Sequence, residues 1–533
     1  VKGIPALTLL TLLPLVAGVI VAGLGEWPRL ARRLALVAAF AALALALLLW
    51  RGFNAALGEL QFVERHDWVP SLGVSYFVGV DGLGLLMVLL TALLVPMAML
   101  ASWRATRPAG SPGAAGETAS RGARPHLYFA LMLFLEAGLF GTFTAQNFFH
   151  WFLFWELSLV PAFFLVRLWG GPQRAPAATQ FFLYTLVGSV AMLLAFLGIF
   201  LATGRFDFPA LAEMGRDGTL TSALSARLGW YALTTRELSL LIFGGVFLGV
   251  AVKVPLMPLH TWLPAAYAEA PTPVTMLLTG AMSKMGVYGF VRVLLPLFPQ
   301  QINWMLWPLL GLAVATIVCS ACAAFAQRDL KRMLAYSSIN HLGYCLLAVF
   351  AVARYTVPAA APDVERAAAL NGVFLQMFNH GLTAATLFLF VGFLEERSGG
   401  LRGLEEFGGL RRVAPIFCGL MGVAVFASLG LPGLNGFVGE FLIFKGVFAL
   451  APVAAVAALP GLLVTAVFLL TLMQRVFHGP LNEKWSKLPD LTPREIALAA
   501  VPVALMFALG VWPRLVLDAV NATAVTMVEQ LKF

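Results

Sequence analysis

Apolar runs of about 20 residues follow one another along the whole chain, separated by short polar connections. Each is long enough to cross a hydrocarbon layer of roughly 30 Å as a helix. Fourteen such segments can be drawn, over residues 4–24, 30–50, 80–103, 126–144, 148–169, 176–203, 238–259, 272–298, 302–326, 330–354, 367–395, 414–449, 451–476 and 494–516. The twelfth is too long for one simple span and is broken at Leu429-Gly430-Leu431-Pro432-Gly433. Two stretches depart from the pattern. Residues 60–79 alternate polar with apolar and carry Trp68 and Tyr76, which predicts a hairpin at the membrane interface. Residues 104–125 are rich in Gly, Ala and Pro and read as a flexible loop.

Composition removes the alternative of several soluble domains. Of 533 residues, 60% are hydrophobic and 11% are charged, against about 25% charged in ordinary globular domains. The net charge of +9 comes from basic residues scattered among the connections, with no dense patch for nucleic acid. Lys and Arg are more frequent in the odd-numbered connections than at the termini and in the even-numbered ones, so both termini are expected outside the cytoplasm. The first apolar stretch follows Lys2 without an evident cleavage site and reads as a retained span. Four cysteines exclude a disulfide framework. Cys319 and Cys322 form a CxxC inside an Ala-rich run, where helix packing is the expected role rather than metal or redox chemistry.

The informative residues are charges where lipid should exclude them. Glu156 falls in span 5, Lys253 near the end of span 7, Lys284 midway through span 8 and Glu440 after the break in span 12. His341 and His380 join them in spans 10 and 11. An ionisable group in the bilayer costs several kcal/mol by most scales, so a set of six points to function. Carboxylate, ammonium and imidazole in series can exchange protons, because burial and an opposite charge move their proton affinities in opposing directions. They are poorly suited to holding a bulky organic substrate. Glu136 in span 4 either joins this relay or faces a water-filled cavity. Asp81 opens span 3, where a carboxylate suits the helix dipole. Lys331, Arg332 and Lys445 lie near span ends and are expected to snorkel.

Two spans should be broken. Pro255 and Pro258 follow Lys253, and Gly430, Pro432, Gly433 and Gly436 precede Glu440. Proline frees backbone carbonyls, which is tolerated only where protein or water satisfies them. The breaks lie five spans apart. The expected fold is therefore an all-α polytopic membrane protein of about 14 transmembrane helices, with spans 4–8 and 9–13 as inverted five-helix repeats and helices 7 and 12 broken. The corresponding divisions are 1–125, 126–298, 299–476 and 477–533.

The segments FWELSLVP, KVPLMPLHTWLPAAYAEAPTPVTMLLTGAMSKMGVYGF, LAYSSINHLGY, NHGLTAATLFL, LPGLNGFVGEF and HGPLNEKW, in this order, resemble the antiporter-like membrane subunits of proton-pumping NADH-quinone oxidoreductase (respiratory complex I). That superfamily is shared with multisubunit cation/proton antiporters. The resemblance covers spans 4 to 14 strongly and the first three weakly, and is nearest to the chain M branch. It implies a subunit without a redox centre, in a bacterial inner membrane. NADH, FMN, iron-sulfur clusters and quinone would be bound by partner subunits. The partners implied are other membrane-arm subunits, including sister antiporter-like chains, together with the lipid bilayer. Carried over by motif, Glu156 is the carboxylate of span 5, Lys253 its partner and Lys284 the central lysine. His341 bridges toward the second half, with His380 and water following, and Glu440 is the terminal carrier. Lysine is common at that last position in the sister chains, so glutamate favours chain M. Two other readings share the helix pattern: a subunit of a cation/proton antiporter or membrane-bound hydrogenase complex, and a structural scaffold whose buried charges are packing pairs.

Overall fold

The computed structural model describes residues 5–103, 124–229, 233–357 and 360–531. Among these, thirteen helices are long and apolar enough to cross a membrane. Spans 1 to 6 run over Ala6–Gly23, Pro28–Gly52, Gly82–Ala101, Pro125–Thr144, Phe148–Trp169 and Arg174–Thr203. Span 7 is Thr235–Lys253, and spans 8 to 11 are Thr272–Leu297, Leu306–Phe325, Leu330–Val352 and Pro362–Ser398. Spans 13 and 14 are Pro452–Phe477 and Pro493–Val511. Span 12, split into Pro415–Ser428 and Asn435–Leu450, completes the expected fourteen. Residues 104–123 of the Gly- and Pro-rich stretch lie outside the described residues.

Spans 3, 4, 8, 10 and 11 are largely enclosed, while the others keep broad outward faces. Leu183, Leu201 and Leu463 are more than half exposed on those faces, as expected where the surroundings are hydrocarbon. Cys319 and Cys322 also lie on the outside of span 9 as free thiols. They do not pack between helices, because the span turns that face away from its neighbours. The predicted hairpin forms as strands β1 (Gln61–Val69) and β2 (Val74–Val80), paired antiparallel. The sequence pattern did not disclose three further helices: Phe208–Arg216 and Thr219–Leu228 between spans 6 and 7, and Arg514–Gln530 after span 14.

Polar ties among connections fix the sidedness of the bundle. Asp207, between spans 6 and 7, accepts hydrogen bonds from Arg65 (2.5 Å) and Ser75 (3.0 Å) of the hairpin and from Asn147 (2.7 Å) between spans 4 and 5. Even-numbered connections thus meet at one end. At the other end, Arg402, between spans 11 and 12, reaches Asp329 at 3.0 Å between spans 9 and 10 and Glu269 at 3.8 Å before span 8. Lys331 belongs to this cluster. It is buried and bonded to Glu395 at 3.0 Å instead of snorkelling, because a carboxylate from span 11 faces it. Lys445 is half exposed and pairs with Glu365 at 2.7 Å.

Both expected breaks are present, and side chains tie the backbone at each. Span 7 stops at Lys253 and resumes as Trp262–Glu269. Trp262 Nε1 donates to the Val252 carbonyl at 3.1 Å, and Met257 N–H donates to Thr316 Oγ1 of span 9 at 3.1 Å. In span 12, Asn379 Nδ2 of span 11 donates to the Asn435 carbonyl at 2.6 Å, and Asn435 Nδ2 returns a bond to the Asn379 carbonyl at 3.3 Å. A break can persist at this depth only with such partners.

Candidate functional site

Lys284 sits fully buried at the centre of span 8. The turn before it, Leu278–Met282, is π-helical. Such a widened turn shifts the helix register and recurs at functional positions. Here the Thr279 carbonyl accepts both Lys284 Nζ at 2.6 Å and Ser283 Oγ at 2.8 Å. The ammonium also meets Ser283 Oγ at 3.3 Å and His380 Nδ1 of span 11 at 2.7 Å. Spans 8 and 11 therefore share a direct lysine–imidazole contact.

From His380 the line continues to span 10. The His380 and His341 rings lie 5.3 Å apart between centroids, tilted by 38°. His341 Nδ1 then meets Glu440 Oε1 at 2.9 Å, and its Nε2 meets Ser428 Oγ at 3.2 Å. A neutral imidazole has one donor and one acceptor nitrogen. A charged Glu440 makes Nδ1 the donor and leaves Nε2 to accept from Ser428. Glu440 Oε1 also accepts Gln376 Nε2 at 3.1 Å. The order in space is thus Lys284, His380, His341, Glu440. The sequence-based order, with His341 ahead of His380, is corrected: the imidazole in direct contact with Lys284 is that of His380 on span 11.

The first-half charges Glu156 and Lys253 are coupled without touching. Lys253 is buried and its Nζ makes no hydrogen bond within the chain. It lies 4.7 Å from the centre of the Trp155 ring, a cation–π contact. Glu156 is the charge that acts on Lys253, as expected, but the two do not close a direct salt bridge; its Oε1 is buried without a hydrogen-bonding partner in the chain. The reason is helical phase. Trp155 faces the interior, and the next residue is turned about 100° around span 5. Glu136 is fully buried, and neither carboxylate oxygen is bonded within the chain. Between Lys253 and Ser283 lies a cavity of about 10 Å³, bordered by Trp262, Tyr267 and Met282. That is close to the smallest space that holds one water.

Several contributors were not singled out from sequence. Ser428, Gln376 and Thr279 are ordinary polar residues whose roles depend on which helix faces them. Arg292 was the more visible omission, being a charge inside span 8. It bonds Asp81 at 2.5 Å, and Asp81 also accepts the Gly84 N–H at 3.0 Å as the cap of span 3.

Glycine is required at the break facing Glu440. Gly430 has φ of +79°, and a Cβ there would lie 3.1 Å from Glu440 Oε2. Gly430→Ala is expected to strain the turn and push the carboxylate off His341. A fall in proton movement of about fivefold or more is expected with the chain still assembled. Pumping assays on membrane vesicles, normalised to the amount of assembled chain, would measure it; an unchanged rate would show that the break tolerates a side chain.

Comparison with known proteins follows the same elements. Residues 145–468 match the transmembrane family described as NADH:quinone oxidoreductase/Mrp antiporter. The chain belongs to this family. NADH-quinone oxidoreductase subunit M of Rhodobacter capsulatus is 35% identical over 98% of this chain and 96% of that protein. A chain in respiratory complex I from Thermus thermophilus with bound NADH superposes with a TM-score of 0.80 at 29% identity, covering 98% of this chain and 99% of that one. A chain of the Mrp complex from Dietzia also gives 0.80, at 20% identity and 99% coverage of both, which extends the likeness of fold. The chain is a multi-pass membrane protein with an antiporter-like fold.

Proposed function

We propose that this chain is the antiporter-like, proton-translocating membrane subunit of an NADH:quinone oxidoreductase, of the kind called subunit M or chain 4 in its relatives. The observation that carries the reading is the line of contacts from Lys284 through His380 and His341 to Glu440, buried across spans 8, 11, 10 and 12. A proton leaves Lys284 for His380 Nδ1, and His380 releases one from its other nitrogen. His341 takes a proton at Nε2, the nitrogen that Ser428 Oγ meets, as it releases its Nδ1 proton to Glu440. Ser428 holds the other nitrogen of His341 so that its N–H points at the carboxylate. Lys253 and Glu156 act upstream: a change in charge at either alters how firmly Lys284 holds its proton, across the small cavity that ends at Ser283. Glu136 is an accessory group of the same half.

In this reading the chain performs no redox chemistry. NADH oxidation and quinone reduction, with flavin and iron-sulfur clusters, belong to partner subunits, and sister antiporter-like chains lie beside it in a membrane arm. The odd-numbered connections face the cytoplasm, as the bias of basic residues supports. The site of action is a bacterial inner membrane.

Gentle solubilisation of native membranes, followed by a native gel, tests the assignment. The chain is expected in a very large band that oxidises NADH and reduces quinone. Its presence only in a smaller complex without that activity would overturn the assignment in favour of a cation/proton antiporter or hydrogenase assembly.

A further inference from the structure

The end at which the even-numbered connections meet carries a cavity that the proton line does not use. It has a volume of about 330 Å³ and lies where span 2 ends and span 14 gives way to helix Arg514–Gln530. Trp50, Phe53, Trp512 and Leu515 form its apolar walls, and Arg514 and Asp518 supply its charges. Cavities above about 300 Å³ are in the range of small-ligand sites.

The two tryptophans mark its depth in the membrane. Trp50 stands two residues before the end of span 2, and Trp512 directly follows span 14. Tryptophan gathers at the level of lipid headgroups, its ring toward hydrocarbon and its N–H toward water. On the span side of the cavity Leu48 and Val511 are exposed, as contact with acyl chains requires. The helix that carries the charges is held firmly. Gly82 N–H, at the start of span 3, donates to Thr523 Oγ1 at 3.0 Å, and Asn371 Nδ2 of span 11 donates to Asn521 Oδ1 at 2.8 Å.

The charges select the headgroup. Arg514 and Asp518 are four residues apart, about 6 Å along the helix axis. Opposite charges at this spacing can bond each other. These two do not, and neither side chain bonds any other described residue. Both are exposed and border the cavity. A cation and an anion held apart on one wall match a ligand whose own phosphate and ammonium are separated by two carbons.

We propose that this cavity binds a zwitterionic phospholipid with a primary amine, a phosphatidylethanolamine. Arg514 holds the phosphate with its guanidinium fork, and Asp518 accepts from the ammonium. Trp50 and Trp512 flank the glycerol level, and the acyl chains run past Leu48 and Val511. The lipid thereby joins the end of span 2 to the start of the last helix.

Photolabelling of the intact assembly in phosphatidylcholine vesicles tests the site. Two probes are used in trace amounts, phosphatidylethanolamine and phosphatidylglycerol, each with a diazirine near the top of one acyl chain. Peptide mass spectrometry is expected to find the ethanolamine probe on segments 47–55 and 511–519, at least about threefold above the glycerol probe. Arg514→Gln should lower labelling by both probes. Asp518→Asn should remove the preference and leave the glycerol probe unchanged. Both residues are exposed, so the variants should assemble, and label is counted per assembled chain. Equal labelling of the parent by the two probes would overturn the headgroup assignment. Labelling that Arg514→Gln leaves unchanged would overturn the site. So would the absence of label from both segments, the result expected if a neighbouring subunit covers the cavity.

Discussion

Alanine at position 284 is expected to reduce proton pumping by more than about tenfold while the chain remains in its assembly. The expectation follows from position. Lys284 Nζ bonds the Thr279 carbonyl of its own span and the His380 imidazole of span 11. Removing it leaves no ionisable group of span 8 at the junction between the two halves. Assembly should survive because span 8 is enclosed along its length by the other helices, and taking away a buried cation also removes its desolvation penalty. Lys284→Met, which conserves more volume, guards against collapse of the site. Dye-quench measurements of pumping, set beside native-gel quantification, decide the matter. Full pumping by a normally assembled Lys284→Ala variant would sink the relay.

How much of this could be read without a structure depends on the range of the interaction. Fourteen spans, the interfacial hairpin and both helix breaks are written in local patterns: apolar runs, alternation between Gln61 and Val80, and Pro or Gly clusters beside Lys253 and Glu440. The buried charges were equally visible, because an ionisable residue in an apolar run stands out in one dimension. Their partners were not. Lys253 reads as the partner of Glu156 and feels its charge, yet the group it directly contacts is the Trp155 ring. Lys331 reads as an interfacial cation, yet it faces Glu395 from a span 64 residues further on. The order of the two histidines is likewise set by packing between spans 10 and 11 and has no signature in either segment alone. Arg514–Gln530 escaped notice because its Thr, Asn and Asp residues dilute the apolar stripe that packs on spans 3 and 11.

The same reasoning predicts that not every buried charge is part of the pump. Asp81 and Arg292 are both largely buried and bonded at 2.5 Å, and Asp81 also caps span 3 through Gly84 N–H. Neither touches the line from Lys284 to Glu440. Asp81→Ala would strand the Arg292 guanidinium in an apolar setting, a loss of about 3–5 kcal/mol for a broken buried pair, with about 1 kcal/mol more from the lost cap. The folded chain should then disappear at a clearly lower temperature, as followed by limited proteolysis of stepwise-heated membranes. Replacing both partners, Asp81→Ala with Arg292→Leu, removes the uncompensated charge and should restore most of the lost stability. Pumping per assembled complex should be near normal in that double variant. A double variant that is stable yet fails to pump would mean that the pair carries protons or couples to the groups that do, and that the relay extends to the even-numbered side of span 8. A single variant as heat-resistant as the parent would mean that Arg292 finds another partner, and that the ion pair does not hold spans 3 and 8 together.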